Sequence, residues 1–183
     1  AFAPYLFAEQ PFIGDSALAS SIALWRTHKK FFADKNYYRG VHLVGVNAHG
    51  PGLIHHRTKN ILKPSDIAGP KSYELLSTGV VDGITFPYEA LVGFKIVNLV
   101  KYSTYVPGGM YSSSFYFFIN GRKYNSMTAA EKAAVAKYSG EAYARIAGRG
   151  WDKNNNEGYE AALKNGNKIV TAPPAVVNAV KKL

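Results

Sequence analysis

The stretch that most constrains the fold runs from Leu75 to Glu89, Leu-Leu-Ser-Thr-Gly-Val-Val-Asp-Gly-Ile-Thr-Phe-Pro-Tyr-Glu. It reads as a helix stopped at Gly79, a very short apolar strand, an Asp-Gly turn and a second helix opened by Pro87. Gly79 suits the position just past a helix end, where a positive φ costs no Cβ clash. Val80 and Val81 allow only a brief buried strand, and Asp82-Gly83 supplies the turn that ends it. Pro87 fits a first helical turn because its missing N–H would be unpaired there anyway. Ile84, Thr85 and Phe86 are therefore expected in a strand-to-helix connection, the kind of place where α/β proteins seat ligands.

The rest of the chain supports the same class. Asp15 to about Asp34 steps helically through Leu18, Ile22, Trp25 and Lys29, with Asp15 or Ser16 as cap. Val41 to Val46 is an apolar strand with little alternation, expected to be buried on both faces. Ala48-His49-Gly50-Pro51-Gly52 is a loop by composition, and Leu53 to Thr58 a second strand. Tyr88 to about Val92 is helical, Leu99 to Tyr105 extended, and Pro107-Gly108-Gly109 a break. Tyr111 to Asn120 is read as the longest strand, with Phe115 and Phe117 on one face and Tyr116 and Phe118 on the other. Thr128-Ala129-Ala130-Glu131 is a capping box. The helix it opens carries a stripe of Val135, Tyr138, Ala142 and Ile146. Gly148, Gly150 and Asn154-Asn155-Asn156 are expected to kink or break it, since each Gly costs ~1 kcal/mol relative to Ala. A short strand around Ile169-Val170 and a helix opened by Pro173-Pro174 close the chain. Strands interleaved with helices mean an α/β fold with mixed sheets.

Composition narrows the function. A 47% hydrophobic fraction is globular, and no apolar run approaches the ~20 residues that span a bilayer. No secretory leader is legible at Ala1, and the lack of cysteine leaves the compartment open. The net charge of +10 points to an anionic partner, but Lys and Arg come singly or in pairs and never in a run of five. A nucleic-acid partner is not expected.

Motifs of catalysis are missing. There is no Cys and no Gly-x-Ser-x-Gly, and Gly50-Pro51-Gly52 lacks the Lys-Ser/Thr of a phosphate-binding loop. His55 and His56, adjacent in a strand, face opposite ways and cannot share a metal. No catalytic residue, metal site or cofactor is expected. Glu89, with Glu74 or Asp82, could serve acid–base chemistry, but a helix start, a surface and a turn account for them. His49, in a Gly-rich loop after a buried strand, is a candidate cleft residue. Phe86 and Tyr88 are candidate stacking surfaces for a flat or apolar ligand.

The string Tyr73-Glu74-Leu75-Leu76-Ser77-Thr78-Gly79-Val80-Val81-Asp82-Gly83, with Pro87 following, resembles the "Y-x-x-L-x-x-G-x-V-D-G-x-x-x-P" pattern of solute-binding proteins of tripartite ATP-independent periplasmic (TRAP) transporters. Pro4-Tyr5-Leu6-Phe7 resembles the family's Pro-Phe-Leu-Phe, and Lys63 to Lys71 resembles its "P-x-D-L-x-G-x-K". The resemblance implies a two-lobed periplasmic-binding-protein-like receptor that closes over a small organic acid and delivers it to TRAP membrane subunits. Residues 1–183 would be a portion of such a protein, its lobes interleaved and its hinge strands near 40–58 and 98–120.

The family's near-universal Arg, which grips the ligand carboxylate just after the "G-x-K" stretch, has no counterpart, because Ser72-Tyr73-Glu74 follow Lys71 directly. The N-terminal part and one strand–helix–strand segment of roughly 30 residues are implied to be missing, with a chain break between Lys71 and Ser72. A Cα separation of ~3.8 Å there would refute the break. Phe86 stands where the family usually carries a ligand-binding Asn, which favours an aromatic or apolar-tailed carboxylate over a sugar acid. Tyr111 and Tyr88 join Phe86 and His49 as expected lining residues. The rival reading is an α/β enzyme or sugar-binding domain with a carboxylate-lined cleft.

Overall fold

A computed structural model describes residues 3–35, 37–58, 76–79 and 81–182. The junction of Lys71 with Ser72 and the Lys63–Lys71 match lie outside the described residues.

Two sheets organise the fold. In the first, β1 (Val41–Ala48) pairs antiparallel with β5 (Ser114–Asn120), with an irregularity between Leu43 and Gly45. In the second the order is β3 (Gly83–Phe86), β2 (Leu53–His56), β4 (Tyr102–Tyr105), β6 (Lys168–Thr171). Only β4 and β6 run parallel, so the sheet is mixed, as expected. Two short crossovers join the sheets, after β1 through residues 49–52 and after β4 through residues 106–113, and the chain returns from β5 to β6 through the C-terminal helices.

Several local expectations hold for the reasons given. Gly79 has φ +74° and its N–H returns to the Leu76 carbonyl. Ser16 caps α1 (Ala17–Phe31), and the Thr128–Glu131 capping box opens α4 (Ala129–Lys137). α6 (Pro174–Val180) begins on a proline. Phe115 and Phe117 of β5 stack on Trp151 and Tyr143, while Tyr116 packs on Tyr5 and Phe118 on Tyr38, across the opposite face.

Other expectations are corrected. The strand near the Asp-Gly turn is Gly83–Phe86, so Ile84, Thr85 and Phe86 lie within it and only Pro87 and Tyr88 connect it to α2 (Glu89–Gly93). Pairing decides this. β2 offers Leu53, Ile54 and His55 opposite Phe86, Thr85 and Ile84, and that ladder outweighs local turn chemistry. The longest strand is β1, with eight residues against seven in β5, because Tyr111 to Ser113 belong to the crossover. In α1 the buried row is Ala17, Ser21, Leu24 and His28, one position before the expected stripe.

The largest correction concerns the C-terminal helices. After the short α3 (Gly121–Asn125) and α4, the break comes at Tyr138–Gly140, where Gly140 takes φ +68°. From there α5 (Glu141–Lys164) runs 24 residues unbroken, about 36 Å at 1.5 Å per residue. Tyr138 and Ile146 are exposed; the buried positions of α5 are Ala144, Gly148, Gly158 and Ala162. Its glycines mark close packing. A Cβ on Gly158 would stand 2.0 Å from the Tyr88 carbonyl oxygen, and one on Gly148 would stand 2.6 Å from Leu18 Cα. The helix thus lies directly on α1 and α2, spanning from the first sheet to the second. Asp152 fixes the α1 side by accepting the Ala17 N–H at 2.6 Å, the Leu18 N–H at 3.1 Å and the Ser16 hydroxyl at 2.8 Å.

The second sheet covers a core of Leu53, Ile84, Tyr88, Leu91, Ile96, Val100 and Ala162. A separate one under the first sheet joins Tyr5, Leu24 and Val46.

Candidate functional site

The two crossovers are bound to each other. Gly52 N–H donates to the Tyr111 carbonyl at 2.9 Å, Met110 N–H to the Gly52 carbonyl at 2.9 Å, and the Ser112 hydroxyl to the His49 carbonyl at 3.1 Å. Gly109, at φ +80°, lies so close to Pro51 that a Cβ would come within 2.8 Å of its Cβ. The Tyr111 ring lies across Gly52, where any side chain would collide with it. These contacts hold His49 and Tyr111 on adjoining backbone at the junction of the sheets.

Around them stands a cluster of aromatic rings. His49 is edge-on to Tyr111 at 5.5 Å and to Trp151 at 6.2 Å, and tilted on Phe115 at 6.0 Å. Trp151 stacks on Phe115 at 5.4 Å with 20° between planes. The same Trp151 borders a cavity of about 410 Å³ on the α2 side, walled also by Glu89, Ala90, Phe94 and Asn154. One indole of α5 thereby joins a strand of the first sheet to the helix that follows β3 in the second.

Electrostatics follow from burial. The His49 imidazole is pushed below its usual range by desolvation, despite the Gly50 carbonyl beside Nδ1 and the charge of Glu9. It is neutral near pH 7 and brings no permanent cation. Burial and the charge of Glu89 push the Tyr111 hydroxyl up to about 12, and that hydroxyl donates to the Thr85 carbonyl at 3.1 Å. Burial also raises the Glu89 carboxyl, more than the N–H groups of Ala90 and Glu89 lower it.

Of the four residues singled out in the sequence, His49 and Tyr111 come together. Phe86 is half-buried at the end of β3 and packs its ring on Phe94, 5.3 Å away. Tyr88 turns the other way. Its backbone N–H donates to Asn155 Oδ1 at 3.0 Å, and its ring meets His55 and Tyr159 edge-on beside a second cavity of about 340 Å³. His55 and His56 do face opposite sides. His55 is wholly buried between the Ser103 hydroxyl and the Phe86 carbonyl, whereas His56 Nδ1 accepts the Thr58 N–H. Trp151 and Phe115 were missed as site residues. Phe115 is visible in sequence only as one ring of an alternating strand, and Trp151 sits in a polar run that reads as a helix break.

Two sheets joined by paired crossovers, with one long helix laid over both and a cluster of aromatic rings at the junction, define a periplasmic-binding-protein-like fold. Comparison with known proteins gives the family. Residues 61–183 match the model of "Bacterial extracellular solute-binding protein, family 7", and the chain belongs to that family. It is 33% identical to a TRAP periplasmic solute-binding protein of Bordetella bronchiseptica solved with bound (R)- and (S)-mandelate, with a TM-score of 0.86 over 96% of this chain and 64% of that one. It is 27% identical to a marine metagenome TRAP solute-binding protein specific for aromatic acids, solved with metahydroxyphenylacetate, with a TM-score of 0.87 over 100% of this chain and 66% of that one. A relative described as the outer membrane transporter protein TsaT of Comamonas testosteroni is 28% identical over 96% of this chain and 60% of its own length. The chain therefore spans less than two thirds of the length of each of these three relatives. No helix among the described residues is long and apolar enough to cross a membrane.

Proposed function

We propose that this chain is the principal part of a periplasmic receptor that captures an aromatic or apolar-tailed carboxylate and delivers it to the membrane subunits of a TRAP transporter. The observation that carries the reading is the cluster of His49, Tyr111, Phe115 and Trp151 at the junction of the two sheets. Offset or edge-on contact with such rings contributes about 0.5–1.5 kcal/mol per pair beyond area burial, a gain that a sugar acid lacks. His49 and Tyr111 form the wall against the ligand's ring. Phe86 backs that wall from β3, and Tyr88 fixes the entry of α2 through Asn155. The mandelate and metahydroxyphenylacetate of the relatives are ligands of this chemistry.

The two sheets belong to two interleaved lobes, and the crossovers at 49–52 and 106–113 are the hinge between them. A ligand that touches both lobes binds the closed state better than the open one, and that difference supplies the closing free energy. With His49 neutral, a cation for the carboxylate has to come from elsewhere, and the net charge of +10 favours the approach of an anion. The chain performs no chemistry on its ligand.

A thermal-shift screen of the intact protein tests this. Aryl carboxylates at about a hundred times Kd are expected to add ~2.7 kcal/mol and raise Tm by several degrees, with the compound recovered unchanged. Preference for sialic-type or small dicarboxylic acids contradicts the proposed ligand class, and turnover of the compound favours an enzyme.

A further inference from the structure

We infer that Glu89 selects, among carboxylates with an aromatic or apolar tail, those bearing a hydrogen-bond donor such as a hydroxyl on that tail, whose hydrogen bond the Glu89 carboxyl accepts. The inference rests on the receptor reading above and deepens it.

Glu89 opens α2 and borders the cavity of about 410 Å³, whose lining also includes the apolar Ala90, Phe94 and Trp151 and the polar Asn154 and Glu157. Its Oε2 is shielded from bulk solvent and has no hydrogen-bond partner among the described residues. Buried polar atoms are nearly always paired, and a carboxylate oxygen left unpaired costs more than a neutral one. The Tyr111 hydroxyl, which feels the Glu89 charge, does not repair the deficit, because it is spent on the Thr85 carbonyl. The raised affinity of the carboxyl for its proton has the same origin, since desolvation exceeds the help of the Ala90 and Glu89 N–H groups. A carboxyl short of donors at the edge of an aromatic cavity gains from any donor the ligand brings. In that sheltered setting a charge-assisted bond is stronger than in water. A tail without a donor leaves the carboxyl as it stands, and a tail bearing only an acceptor meets repulsion.

The test is calorimetric titration of the intact protein with phenylacetate, mandelate, the 2-, 3- and 4-hydroxyphenylacetates, and the methyl ether of whichever binds best. At least one hydroxylated acid is expected to bind about tenfold or more tighter than phenylacetate, and its methyl ether is expected to lose that gain. Glu89→Leu is expected to bring the hydroxylated acid to within about threefold of phenylacetate while phenylacetate itself binds no worse. Glu89→Gln, nearly isosteric, is expected to cut the gain at least about threefold and decides the matter where the leucine variant fails to fold. Equal affinities across the wild-type series overturn the inference and spare the receptor reading. So does a hydroxyl preference that survives in both variants. If none of the acids binds, the receptor reading fails first and the inference with it.

Discussion

Trp151 of α5 lies nearly parallel to Phe115 of β5, ring centroids 5.4 Å apart, while its indole also walls the cavity next to Glu89 and Phe94. The contact places one side chain of the bridging helix between a strand of the first sheet and α2, the helix that follows β3 of the second. If the cleft works as proposed, this indole is its largest apolar surface.

Trp151→Ala is therefore expected to weaken binding of an aryl carboxylate by about ten- to a hundredfold, the scale of a lost aromatic contact with its buried area. Trp25, the other tryptophan, packs on His28 and Gly140, away from the cleft. Trp25→Phe is expected to leave affinity unchanged. Titration of both variants with mandelate checks this.

The glycines of α5 should separate by contact. Gly158→Ala drives a methyl group to 2.0 Å from the Tyr88 carbonyl oxygen, and a loss of about 3 kcal/mol or more is expected. Gly150 has nothing within 4 Å of its Cβ position, so Gly150→Ala should stabilise by about 0.5–1 kcal/mol through helix propensity. Urea denaturation of the two variants measures both signs.

These glycines also show where sequence reasoning reached its limit. Gly79, the Ser16 cap, the Thr128–Glu131 box and the two faces of β5 were legible because each depends on residues close in sequence. The continuity of α5 was not, because Gly148, Gly150 and Asn154-Asn155-Asn156 read as a helix break until the close packing of Leu18 on Gly148 and of Tyr88 on Gly158 is seen. The placement of β3 likewise depends on β2, thirty residues away. His49 was readable from a Gly-rich loop after a buried strand, and Tyr111 from its place after Gly109. Trp151 required the helix to be whole before its position had meaning.

Asp152 joins α5 to α1 through three donors, the N–H groups of Ala17 and Leu18 and the Ser16 hydroxyl. Asp152→Ala leaves the first turn of α1 short of acceptors, and a cost of about 2–3 kcal/mol is expected. Asp152→Asn should cost less, since an amide oxygen still accepts. Denaturation midpoints of the pair decide it.

Stability should fall on mild acidification, for a reason centred on His55. Its Nε2–H donates to the Phe86 carbonyl, leaving Nδ1 to accept from the Ser103 hydroxyl, and complete burial pushes its pKa down to about 4. The unfolded chain protonates this group near 6.5, so between 6.5 and 4 the unfolded state binds more protons and unfolding is favoured as pH drops. The loss across that window is about 3 kcal/mol. His28 and His49, also lowered by burial, add to it with the same sign. Glu89, raised by burial, runs the other way, its contribution fading as pH rises above the ordinary carboxylate range. Urea unfolding at half-unit steps from pH 7 to 4 should show the decline, and a flat profile contradicts it.

The most direct test of the aromatic cleft is a calorimetric titration of the intact protein with mandelate and, separately, with succinate, a dicarboxylate without a ring. The account predicts saturable one-to-one binding of mandelate and at least about a hundredfold weaker binding of succinate. Succinate binding as tightly as mandelate, or better, would contradict it.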